Sequence, residues 1–231
     1  MPESPYQTPL YPWGAPPPVQ QDKSRVGLMA GIIGGVSLLI VALLATLVLF
    51  AKEINNSYPR AENALTVPGT LLDGRYTLAK DDSTTLGRKL ERGWRFSWNA
   101  KAAHGVVALY HPGSGDRGAL SVTGMYGRFR NTAEVRGRVL AENSANTTRV
   151  KVLVPSKDVT PSGSHIRVSC EVLTRTWAGG ATLTYPVCAW ADGNTWGRVA
   201  YMTLDTAMNV DLKAAARMTL RIRAEMAKPI R

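Results

Sequence analysis

The sequence predicts an α+β fold, an antiparallel sheet packed with helices, carried behind an uncharged apolar segment. Three observations predict it. Stretches of alternating or β-rich residues come in pairs around glycine turns. Each pair is followed by a segment of helical periodicity, so the order hairpin then helix occurs twice. Finally, residues 26–51, "VGLMAGIIGGVSLLIVALLATLVLFA", contain no charged residue.

Taken from the N-terminus, residues 1–25 are rich in proline, including Pro16-Pro17-Pro18. Such a stretch cannot bury enough apolar surface to fold and favours an extended, solvated chain. It is expected to be a disordered tail. About 20 apolar residues cross a hydrocarbon core of roughly 30 Å, so residues 26–51 are expected to form a single transmembrane helix. The proline-rich stretch before them and the sequence "LVLFAKE" after them do not fit a cleaved signal peptide. Within this run Gly27, Gly31 and Gly35 fall on one face, where two helices can approach closely. They are the candidate residues for packing and homodimer formation in the membrane.

Orientation is close to a tie by charge, because Lys23 and Arg25 precede the run and Lys52 and Arg60 follow it. The two cysteines, Cys170 and Cys188, both lie on the C-terminal side. An even count suits an oxidising compartment, so residues 1–25 are read as cytoplasmic and the remainder as outside. Residues 52–65 read as a linker, lacking periodicity, and residues 66–231 as an extracytoplasmic domain.

In that domain "DSTTLGRKLERG" reads as a short helix, with Ser83 as its cap and Leu86 and Leu90 four residues apart. "GVVALYH" and "ALSVTGMYG" read as strands joined by "PGSGDRG". A helix follows in "NTAEVRGRVLAEN", where Val135 and Val139 share a face. "RVKVLVPS" and "SHIRVSCEVLTRTW" are strands, and "ATLTYPVCAW" with "NTWGRVAYMTL" forms a hairpin closed by Asp192-Gly193. The last helix is "VDLKAAARMTLRIRAEMAK", with Asp211 as its cap.

A three-residue loop at Ala178-Gly179-Gly180 places Cys170 opposite Cys188 and Val172 opposite Pro186. Proline lacks an N–H, so its pair is of the type without backbone hydrogen bonds, where strands come closest. The cysteines share that pair type, and a structural disulfide is expected. Pro186 also removes a bond on the strand's other side, predicting a bulge or strand end near Ala200. A redox pair is better served by C-x-x-C spacing or a helix start. Trp190 and Trp196 read as sheet residues beside the turn, and Asp192 as turn chemistry.

Other motifs carry less. "GSGDRG" at 113–118 has dinucleotide-loop glycines but joins two strands, where no helix start receives a phosphate. His104, His111 and His165 lack metal-ligand spacing, and Ser114 lacks the surroundings of a hydrolase nucleophile. No cofactor, metal or catalytic residue is expected. The net charge is +11, and the tail, with two bases and two acids, contributes none of it. Lys213, Arg217 and Arg221 recur every fourth residue on the last helix, a stripe suited to anionic lipid head groups or an anionic envelope polymer. Nucleic acid is not an expected partner outside a cell.

"LLDGRYTLA", "LSVTGMYGRF", "VSCEV" and "PVCAWADGNTWGRV" together resemble uncharacterised single-pass membrane proteins of filamentous actinobacteria. The likeness covers roughly residues 66–231. It implies a bacterial cell membrane, a proline-rich cytoplasmic leader and one extracytoplasmic domain. It implies no activity and no catalytic residues. In architecture the domain is similar to sensor-type extracellular domains of actinobacterial lipoproteins and kinases. The expectation is a non-catalytic envelope protein whose outer domain binds a ligand or protein partner, with sensing or signalling across the membrane as the consequence. The rivals are a scaffold acting through the glycine face or the tail, and, third, an envelope enzyme.

Overall fold

The computed structural model describes residues 39–50, 52–53, 57–113, 118–144, 149–203 and 210–230. The tail, Gly27, Gly31, Gly35, Ser114 and most of the "GSGDRG" loop lie outside them. The chain divides into two compact units, Met1–Lys52 and Glu53–Arg231. In the first, residues 39–50 form helix α1 with every residue exposed, its large apolar side chains ranging from Ile40 at 52% to Phe50 at 68%. Among the described residues no helix is long and apolar enough to cross a membrane, and the described part of the uncharged run is limited to 39–50.

The second unit is α+β, as expected. Among the described residues the strands are β1 (Asn63–Leu65), β2 (Thr70–Leu71), β3 (Tyr76–Asp81), β4 (Ala100–Pro112), β5 (Gly118–Phe129), β6 (Val150–Asp158), β7 (Val168–Thr176), β8 (Thr182–Ala191), β9 (Thr195–Thr203) and β10 (Ala227–Pro229). The helices are α2 (Arg88–Trp94), α3 (Thr132–Ser144) and α4 (Leu212–Met226). Eight strands form one antiparallel sheet in the order β2-β3-β4-β5-β9-β8-β7-β6. Each half of the chain contributes a four-stranded meander, and the two meanders meet at β5 and β9. A helix follows each: α3 after β5 and α4 after β9.

The helices cover opposite faces. On α4, Leu212, Ala215, Ala216, Thr219, Ile222 and Met226 recur at helical spacing and are buried. They pack in one core with Cys170, Cys188, Trp190, Val199 and Tyr201. On α3, Val135 and Val139 share a buried face, as their spacing predicts, and join Trp94, Phe129, Val187 and Trp196 in a second core. Strand β8 lies between the two cores. That is why "PVCAWA" reads as an almost unbroken apolar run instead of alternating.

The Cys170–Cys188 disulfide is present, with Cα atoms 4.0 Å apart. Its register is the one expected: Cys170 opposes Cys188 and Val172 opposes Pro186. The Trp177 amide donates to Ala181 O at 2.8 Å, which fixes the alternation and puts both pairs at positions without backbone hydrogen bonds. Gly179 and Gly180 both take left-handed φ, 99° and 83°. Pairing of β8 with β9 stops at Val187 and Ala200, one residue short of the proline, while β9 continues along β5 to Thr203.

Four readings need correction. Residues 52–65 are not simply a linker. Tyr58 and Leu65 are buried, and Asn63–Leu65 pairs with β10 at the far end of the chain. Two strands, β2 and β3, form where no strand was expected: β2 is two residues long and pairs with β3 at two positions, and β3 pairs with β4 at five. Ser83 is not a helix cap. Asp82 precedes a π-helical turn, Ser83–Gly87, that runs into α2, and Ser83 Oγ accepts from Val107 N at 3.2 Å. The β8–β9 turn centres on Gly193-Asn194, since Asp192 N already donates to Thr195 O.

Gly197 shows why this sheet needs a glycine in mid-strand. It faces Trp190 across the ladder, and a Cβ there meets Trp190 Cη2 at 2.0 Å. The indole occupies the space a side chain takes elsewhere. Gly197→Ala therefore overpacks a rigid, fully buried ring and is expected to destabilise the domain by about 2–3 kcal/mol. A Trp190→Leu change in that background should cost less than it does alone. Urea denaturation of the two single variants and the double variant measures this, and strict additivity refutes it.

Candidate functional site

The residues picked out from sequence fall in separate places. Lys213, Arg217 and Arg221 do form one exposed stripe on α4. Asp211 caps that helix, its side chain accepting from Lys213 N and Ala214 N. Those amides, that of Ala214 foremost, hold its carboxyl below the usual range, with Arg217 adding to the effect. Two of the three cations have acidic neighbours. Arg217 lies 3.9 Å from Asp211, and Arg221 pairs with Asp73. Asp73 belongs to the β2–β3 turn, whose Leu72 amide donates to Glu225 at 2.8 Å. The stripe is thus less positive than the sequence alone implies.

The "WADGNTW" turn is a junction. Asp192 Oδ1 accepts from the amides of Asn194 at 2.8 Å and Thr195 at 2.7 Å. Oδ2 accepts from Thr195 Oγ1 at 2.8 Å and from Arg223 of α4, Nε at 2.8 Å and Nη2 at 2.7 Å. Thr195 Oγ1 in turn accepts from Trp190 Nε1 at 3.1 Å. Asn194 reaches the other way, donating to Arg60 O and accepting from Glu62 N. One turn therefore ties the sheet to its last helix and to the segment that enters the domain. Its role is structural, in line with the reading of Asp192 as turn chemistry.

Two features were missed by sequence reasoning. Glu171 on β7 is 3% exposed and points away from the disulfide, toward the α3 side of the sheet. Among the described residues its Oε1 has no hydrogen-bond partner. Burial pushes its carboxyl up to about 7 against a partial lowering by Arg198. Burial likewise lowers the Arg198 guanidinium, which donates to Val139 O of α3. The second is a surface dish of about 500 Å³ in the β6–β7 loop, lined by Asp158, Thr160, Ser162, Ser164, His165 and Arg167. The loop is braced from within: the Thr160 amide donates to Asp158, the Ser164 hydroxyl to Ile166 O, and the Val168 amide to Thr160 Oγ1. Hydrogen bonds from Thr160 hold the Asp158 carboxyl low, with Arg167 at 3.6 Å assisting. Such a dish offers polar donors and acceptors in fixed positions to a small polar ligand.

His104 and His111 both lie on β4, His104 well inside the strand and His111 next to its end, and His165 lies in the dish. His104 stacks on Tyr126 at 5.0 Å, close to Glu91. Among the described residues no group of three or more His, Cys, Asp or Glu is placed to hold a metal ion.

Fold and site together define an α+β domain with an eight-stranded antiparallel sheet, helices on both faces and a cross-strand disulfide. No family model matches the chain, and no curated protein or solved structure is significantly similar to it.

Proposed function

We propose that the chain is a non-catalytic single-pass protein of a bacterial cell envelope. The uncharged run anchors it, the proline-rich tail lies in the cytoplasm, and the disulfide-braced domain lies outside. The domain binds a small polar ligand or a protein partner and reports inward. The observation that carries this reading is the union of an apolar run long enough to span with a domain whose two cysteines are joined. The first calls for a membrane and the second for an oxidising compartment. The dish in the β6–β7 loop supports the ligand-binding part, and the resemblance to actinobacterial membrane proteins supports the setting.

The test uses the full chain carrying Ser162→Cys at an exposed position of that loop. A membrane-impermeant maleimide is expected to label intact cells. After lysis in denaturant, Cys170 and Cys188 should resist alkylation until a reductant is added. Labelling that requires permeabilised cells, or native cysteines that alkylate without reductant, overturns the reading.

A further inference from the structure

The α2–β4 loop departs from the rule that large aromatics are buried. Phe96 is 88% exposed and Trp98 is 74% exposed. Both project from a five-residue loop whose ends are fixed: Trp94 is buried against Trp196 at 5.2 Å, and Asn99 is buried and bonded to Asn131. The stretch 88–101 that contains them holds five basic residues, Arg88, Lys89, Arg92, Arg95 and Lys101, against one acid, Glu91. A cleft of about 370 Å³ beside the loop is lined by Arg92, Arg95 and Lys101 with Glu91. Aromatic tips framed by cations match the chemistry of a membrane–water interface, where rings sit at head-group level and cations meet anionic phosphates.

The chain's own connectivity says which surface lies near. The entering segment is fastened to this loop. Tyr58 Oη donates to Trp98 O at 2.6 Å, Arg130 Nε donates to the same carbonyl at 2.6 Å, and Arg130 Nη1 reaches Ser57 Oγ at 3.2 Å. Arg128 holds Pro59 O and Tyr58 O, and both guanidiniums lie over the Tyr58 ring. From Phe50, the last described residue of the uncharged run, to Ser57 the chain can reach no more than about 25 Å. If residues 26–51 span a bilayer, Ser57, at the start of the segment fastened to this loop, lies within that tether's length of its surface.

We infer that Arg95–Asn99 is a membrane foot: Phe96 and Trp98 enter the interfacial layer of the bilayer that anchors the chain, and the surrounding cations contact anionic phospholipid head groups. This rests on the anchor reading above, and the experiment separates the two. Full-length chain carrying Phe96→Cys, labelled with a nitroxide, is reconstituted into vesicles of phosphatidylcholine with phosphatidylglycerol. Ser162→Cys serves as the water-exposed reference. The Phe96 label is expected to gain oxygen access and to lose access to a soluble nickel chelate by about threefold or more relative to the reference. Arg92→Glu with Arg95→Glu should reverse most of that shielding. Chain that fails to float with vesicles after alkaline wash refutes the anchor and the foot with it. Chain that floats with the Phe96 label as wet as the Ser162 label refutes the foot alone. Shielding from both probes, with spin–spin broadening between labels, refutes it in favour of a second copy of the chain.

Discussion

Replacing Glu171 by glutamine should remove most of a pH dependence from the stability of the domain. The Glu171 carboxyl is raised to about 7 from 4.5, chiefly by burial. A raised carboxyl binds its proton more tightly in the folded state, so stability is complete below the unfolded value and is lost as pH rises from about 4.5 to about 7. At roughly 1.4 kcal/mol per unit, the native domain should lose about 2–3 kcal/mol between pH 5 and pH 8 through this group. Glu171→Gln has no proton to release, and its urea midpoint should change much less over that range. Any constant cost of burying the amide cancels in the slope. Parallel pH profiles for the two proteins refute the prediction, and with it the assignment of Glu171 as an ionisable group held neutral beneath α3.

Glu171 also shows where reading the sequence stops. In "VSCEVLTRT" an acid between apolar residues looks like the solvent side of a half-buried strand. It is buried because α3 covers the other face of β7 and β8. That covering is a tertiary fact with no local signature. The disulfide hairpin was legible for the opposite reason. Its register follows from one loop, one proline and the two-residue period of a strand, all within one stretch of chain. Helices α3 and α4 were legible from their apolar spacing, and Asp211 from capping chemistry. The pairing of Asn63–Leu65 with Ala227–Pro229 was not, since three residues at each end of the domain carry no pattern that names the other. Nor was the exposure of Phe96 and Trp98. Aromatics default to the core unless a structure shows that the core has no room or no path for them.

The same limit applies to Asp192. Its turn chemistry could be read, but its partner on α4 lies 31 residues away and meets it only once helix and sheet are docked. Arg223 and Asp192 are 20% and 15% exposed, so the pair is largely withdrawn from water. Truncating one side of such a pair leaves the other charge uncompensated, which costs far more than the intact pair contributes. Asp192→Ala is expected to destabilise the domain by about 3–5 kcal/mol, since it strands Arg223 and also frees the Asn194 and Thr195 amides. Asp192→Asn keeps an oxygen for those amides and should cost less. Arg223→Met leaves Asp192 its turn bonds and should cost least, about 1–2 kcal/mol. In the Arg223→Met background Asp192→Ala should lose a large part of its effect, because no cation remains to be stranded. Equal losses for Asp192→Ala with and without Arg223 mean that the turn, and not the bridge to α4, is what the aspartate holds.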